Sequence, residues 1–157
     1  MNNNDVLRRI RYSFDFGDSK MMAIFGIAGL EADRAQVCAW LKPDEDPEFS
    51  ECSDAELAAF LNGLIVEKRG PKEGTQPELE TQLTNNIIFR KLKIALDLKA
   101  DDTIEILAKA GMNISKHELS AFFRKPDNRH FRACKGQVLR KFLKGIQKAY
   151  RPDVWGK

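Results

Sequence analysis

Residues 3–15 read NNDVLRRIRYSFD and residues 85–97 read NNIIFRKLKIALD, and the spacing of 82 between them persists along the chain. IFGIAG (24–29) falls on ILAKAG (106–111), so Gly29 matches Gly111. AWLKPD (39–44) meets AFFRKPD (121–127), with one residue inserted before the proline. Phe49, Cys52, Leu57, Phe60, Leu61, Gly63 and Arg69 then fall on Phe131, Cys134, Leu139, Phe142, Leu143, Gly145 and Arg151. One small unit is therefore written twice. Two copies are fewer than the three or more that an open solenoid needs to bury a continuous core. The repeat predicts two homologous lobes packed on each other about an approximate two-fold, residues 1–70 and 84–157, joined by a linker over 71–83.

Within each copy the apolar spacing is helical, and start and stop signals bracket four segments. In the second copy Phe89, Leu92 and Leu96 lie on one face of a first helix, with Asn86 as its cap. A second helix, capped by Asp101 or Asp102, carries Ile104, Leu107 and Ala108 and ends at Gly111, where a positive φ is commonly required. Ser115-Lys-His-Glu118 is a capping-box pattern opening a third helix, which Pro126 prevents from continuing. A fourth runs from about Lys135 with Val138, Leu139, Phe142, Leu143 and Ile146 inward. Ser53-Asp-Ala-Glu56 repeats the capping box in the first copy. The linker, GPKEGTQPELETQL (70–83), is rich in Pro, Gly and Glu and offers one weak helical turn after Pro77. No two-residue alternation occurs, so the fold is expected to be all-α: two tandem four-helix lobes.

Gly63 and Gly145 fall inside the fourth helices, where glycine costs about 0.5–1 kcal/mol relative to alanine. Close approach of another helix backbone explains such a residue twice. Asp15 and Asp97, one per copy, resemble a carboxylate pair, but each stands where a first helix ends. There it can cap backbone N–H groups or pair with Arg8 or Arg90 two turns earlier. The doubled Asn3-Asn4 and Asn85-Asn86 read as caps.

The doubled pattern NN-x-x-L/F-R-x-L/I-R/K…D, then A-G, then W/F-L/F-K/R-x-P-D, then F-L-x-G-L/I resembles the YehS-like bacterial family of unknown function, whose members carry two tandem copies of one domain. The resemblance covers nearly the whole chain. It implies a bacterial, cytosolic, helical protein, and it brings no activity, ligand or catalytic residue with it.

Composition leaves little raw material for catalysis. The two histidines, His117 and His130, stand in no HExxH, HxH or CxxC context, and GxSxG, P-loop and GxGxxG motifs are absent. Cys38, Cys52 and Cys134 are too few and too scattered for a disulfide framework or a metal site and read as reduced, packed thiols. No apolar run reaches the roughly 18 residues of a membrane span. A cytoplasmic protein that is not an enzyme, has no cofactor and does not enter a membrane is the expectation.

Charge is the better lead. Residues 3–70 carry 8 Lys/Arg against 13 Asp/Glu, whereas residues 84–157 carry 17 against 7. In the second copy Lys116, Ser120 and Arg124 recur at i, i+4, i+8 beside His117 on the third helix, and the next loop adds Lys125, Arg129, His130 and Arg132. On the fourth helix Arg140, Lys144 and Lys148 recur at the same spacing, with Lys141 adjacent. On one face these residues would contact several phosphates of DNA or RNA and release counterions. TIEILAKAG-MNI-SKHELSAFFRK also has a helix-turn-helix outline, although Leu107 stands four residues before the glycine, where such motifs want a small side chain. The rival expectation is an adaptor or self-associating protein whose oppositely charged lobes pair with each other or with another protein.

Overall fold

The computed structural model describes residues 1–70 and 79–151. Eight α-helices and no strands occur among them: α1 (Asn3–Phe14), α2 (Asp18–Ile27), α3 (Arg34–Leu41), α4 (Asp54–Arg69), α5 (Asn85–Ala95), α6 (Ala100–Lys109), α7 (Lys116–Ala121) and α8 (Gly136–Tyr150). Residues 79–83 form no helix, so the turn expected after Pro77 is not made there, and residues 71–78 lie outside the described chain.

Both capping boxes read from the sequence are present: Ser53 and Ser115 accept from the N–H of Glu56 and Glu118, whose carboxylates accept in return from the serine N–H groups. Other caps differ from expectation. Asn2 caps α1 in a box with Asp5, Thr84 caps α5, and Lys99 stands at the cap position of α6, where its N–H donates to Asp102. The register slips by one to three residues because polar residues crowd each start, and what displaces Asn4 and Asn86 from capping is a tertiary role. The Asn4 amide donates to the carbonyls of Trp40 and Ser50 (2.9 Å each) and its oxygen accepts from Cys52 N–H (3.0 Å). Asn86 does the same with Phe122, Arg132 and Cys134. Each asparagine thus ties its first helix to the end of the third and to the loop beyond.

That loop keeps the 82-residue register without an insertion. Asp46 N–H donates to the Pro43 carbonyl as Asn128 N–H does to that of Lys125, and Phe49 to Asp46 as Phe131 to Asn128. Pro43 is therefore matched by Lys125, and the KPD string has shifted by one within an unchanged turn. α7 is shorter than the sequence suggests. After Ala121 the chain tightens, with Phe122 and Phe123 N–H donating to the carbonyls of Leu119 and Ser120, so Arg124 lies beyond the helix and does not extend its stripe.

α2 packs on α4, and α6 on α8, with the two backbones in close approach. A Cβ built on Gly63 would fall on the carbonyl oxygen of Ile24, and one on Gly145 on that of Ile106. The expected close approach is the reason for both glycines. Core volume is conserved with its pieces exchanged: Leu7 and Phe25 of the first lobe face the same places as Phe89 and Leu107 of the second, all fully buried.

The lobes interlock. α1 packs more extensively on α8, and α5 on α4, than either first helix packs on the fourth helix of its own lobe. One hydrophobic cluster consequently runs through both. Asp15 and Asp97 end α1 and α5 in the left-handed conformation (φ 54° and 53°). Contrary to the expected pairing with Arg8 or Arg90, they meet the opposite lobe: Arg151 pairs with Asp15 (3.6 Å) and donates to the Tyr12 carbonyl (2.6 Å), while Arg69 pairs with Asp97 (3.4 Å) and donates to that of Ile94 (3.2 Å). Each fourth helix thereby caps the C-terminal end of the other lobe's first helix. These pairs run in both directions between the acidic and the basic lobe.

Candidate functional site

α8 owes its orientation to a strongly two-sided sequence: Leu139, Phe142, Leu143 and Ile146 are buried, and Gly145 seats the helix on α6. The opposite side must then carry Arg140, Lys144 and Lys148, which rise one turn apart, about 6 Å each at 1.5 Å per residue. α1 is amphipathic in the same way. Val6, Leu7 and Ile10 go inward, Arg9 stands on the flank facing α8, and Arg11 lines the hollow beside it with Arg8 and Leu41.

Where α1 and α8 meet, a groove of about 570 Å³ is lined by Arg9, Arg140, Lys141, Lys144, Gln147 and Lys148. It continues past Arg9 and Gln147 into a hollow of about 520 Å³ lined by Asp5, Arg8, Arg11, Tyr12 and Leu41. The result is a basic trough along the seam between the two repeats.

The cations are not equivalent. Arg8 is committed: its guanidinium bonds Asp5 (2.7 Å), Asp44 (3.1 Å) and the Lys42 carbonyl (2.6 Å). Burial would raise the Asp5 carboxyl, but the hydrogen bonds from Arg8 and from Asn2 N–H outweigh it and hold Asp5 below its ordinary value. Lys148 donates to the Lys109 carbonyl at the end of α6 (3.2 Å). Arg9, Arg140, Lys141 and Lys144 have no side-chain hydrogen bond or ion pair with any described residue. Arg11 Nε is buried and meets no acceptor among them. Several positive charges thus converge on a concave surface whose one lining carboxylate, Asp5, is paired with Arg8.

Of the positions singled out by sequence, the structure brings Arg140, Lys141, Lys144 and Lys148 together in this trough. Lys116, His117, Ser120, Arg124, Lys125, Arg129 and Arg132 are exposed on α7 and the loop after it, and none lines the groove. Lys116 pairs with Asp101 at the start of α6 (3.1 Å), Ser120 donates to the His117 carbonyl, and Arg129 donates to the ring of the neighbouring His130 (3.2 Å). Sequence reasoning missed Arg9, Arg11, Tyr12 and Gln147. The signal was the run Arg8-Arg9-Ile-Arg11 on an amphipathic helix, masked by the net acidity of the first repeat.

Among the described residues no group of His, Cys, Asp and Glu side chains could hold a metal ion. Burial pushes the thiols of Cys52 and Cys134 up, to about 12 and about 11, which leaves both protonated and poor nucleophiles at neutral pH. No helix among the described residues is long and apolar enough to cross a membrane.

No solved structure matches the chain. It is 40% identical over 148 residues, 93% of its length and 94% of the relative's, to an uncharacterized protein, YehS, of Escherichia coli (strain K12). The family model described as a protein of unknown function, DUF1456, matches twice, over residues 3–70 and 85–151, the two copies that interlock in the fold; the chain belongs to that family.

Proposed function

We propose that the chain is a non-enzymatic binding protein that takes the phosphate backbone of a nucleic acid along the α1–α8 trough. The observation that carries the reading is the convergence of Arg9, Arg140, Lys141 and Lys144, none of them neutralised by a described residue, on one groove. A trough between two helices admits a single strand more readily than a duplex, and a basic groove that tracks the backbone is how proteins hold single strands without reading their sequence. Tyr12, half-buried in the adjoining hollow, offers one ring edge beside the path. The α7 outline of a helix-turn-helix contributes less: six residues with Lys116 already paired give a poor reading helix.

Fluorescence anisotropy of labelled single-stranded DNA and RNA with the full chain tests this. Four phosphate contacts predict an affinity falling about 50-fold between 50 and 200 mM salt. Replacing Arg140 and Lys144 by Ala should weaken binding and flatten that dependence with helical content unchanged. Unaltered affinity in the double variant would remove the trough as the site. Displacement of the strand by poly-glutamate at equal charge concentration would favour the alternative, an adaptor that takes an acidic protein segment.

A further inference from the structure

The internal repeat supplies a second version of the groove. Its walls are α5 and α4, as those of the open trough are α1 and α8, and the 82-residue offset matches the positions one by one. Arg9 corresponds to Lys91 and Lys144 to Asn62. Arg140, Lys141, Gln147 and Lys148 correspond to Ala58, Ala59, Ile65 and Val66. In the α4–α5 version the cationic side is gone and the surface is closed. Ala58, Ala59 and Asn62 are buried, and Lys91 is only 7% exposed at its side chain.

Among the described residues, an anion stands in the closed version. The carboxylate of Glu80, on the strand of chain that leads into α5, forms an ion pair with Lys91 Nζ (3.0 Å), which also donates to Asn62 Oδ1 (2.6 Å). Leu83 N–H donates to Asp54 at the start of α4 (2.9 Å) and fixes that strand in place. One groove of the pair therefore holds a carboxylate of its own chain on the cation of the first helix, which also reaches a side chain of the fourth. Burying Lys91 is tolerable only because that charge is met.

The open groove has corresponding walls, and at this pair one more charge: the asparagine that accepts from Lys91 is replaced by Lys144, so both walls are donors. Two donors without an acceptor between them make an anion seat. We propose that one phosphate of the bound strand is held between Arg9 and Lys144, on the arginine that corresponds to the lysine holding the Glu80 carboxylate. This rests on the nucleic-acid reading above and adds to it which pair acts as a unit, with Arg140, Lys141 and Lys148 tracking the neighbouring phosphates.

A double-mutant cycle on the full chain tests the seat, with a labelled single-stranded oligonucleotide as probe and the salt dependence as readout. Arg9→Ala and Lys144→Ala should each weaken binding on the order of tenfold. The double variant should be little worse than either, and all three should lower the salt slope by about 0.7, the share of one phosphate on a single strand. Arg140→Ala and Lys148→Ala stand two turns apart, about 12 Å, and serve as the control pair. Their effects should multiply and their double variant should lose about twice the slope. Multiplying effects of Arg9→Ala and Lys144→Ala, or a strand bound as tightly without them, would overturn the seat and leave the trough reading standing. Absence of any binding by the unaltered chain would overturn both.

Discussion

Asn86 makes three hydrogen bonds from a buried site, all to backbone groups 36 to 48 residues away in sequence. Replacing it by Ala leaves the carbonyls of Phe122 and Arg132 and the N–H of Cys134 without their partner, and unsatisfied buried groups cost roughly 1–3 kcal/mol each. Asn86→Ala is therefore expected to lower stability by about 3 kcal/mol in urea unfolding, with Asn4→Ala similar, whereas Asn85→Ala, which loses one bond to the Cys134 carbonyl, should cost about 1 kcal/mol. Equal effects at Asn85 and Asn86 would show that the residues are caps after all. The sequence makes the asparagines visible by writing them twice, but a polar residue at a helix start reads as a cap, because its distant partners leave no local signature. Apolar positions are different: their period declares their face, so Leu7, Phe60, Phe89 and Phe142 are legible as core. The exchange of Leu7 and Phe25 for Phe89 and Leu107 is legible only once the two lobes are superposed in space.

At the scale of elements, what periodicity reaches is a single helix. The α8 stripe Arg140, Lys144, Lys148 is visible at i, i+4, i+8, whereas Arg9 joins it only because α1 crosses to the other lobe, a pairing no local pattern encodes. α7 fails for the opposite reason, since its stripe assumes a helix that reaches Arg124, whereas α7 ends at Ala121. The glycines of the fourth helices carry the element-level prediction. Alanine at position 145 would gain up to about 1 kcal/mol of helix propensity but would set a methyl group against the Ile106 backbone carbonyl, which cannot swing aside. Gly145→Ala is expected to destabilise by about 2 kcal/mol net, in the range of overpacked cores. Gly136→Ala, in the first turn of the same helix with nothing within 4 Å of the new methyl, should be neutral or stabilising by up to about 1 kcal/mol. Thermal or urea unfolding of both variants separates crowding from propensity, and a stabilised Gly145→Ala would mean that α6 and α8 do not approach as closely as the structure has them.

For the whole molecule, the duplication gives two lobes that neither fold nor unfold as neighbours on a string. Because α1 lies on α8 and α5 on α4, separating the lobes would strip apolar faces from four helices, and Arg69 and Arg151 would lose the helix ends that they cap. A continuous core of this kind predicts a single cooperative transition. Trp40, buried in the first lobe, reports on it directly once Trp155 is replaced by Phe. In that background Leu143→Ala, a cavity in the second lobe expected to cost about 2–5 kcal/mol, should shift the Trp40 fluorescence midpoint and the far-UV circular dichroism midpoint by the same amount. A Trp40 transition that stays in place while circular dichroism shows a second, earlier step would mean that the lobes are independent units. The same interlock decides how the trough can work. Its walls belong to different repeats, so the basic second repeat supplies most of the charge, yet the groove exists only in the joined molecule, and a fragment carrying residues 84–157 alone would keep Arg140, Lys144 and Lys148 while lacking the wall that Arg9 stands on.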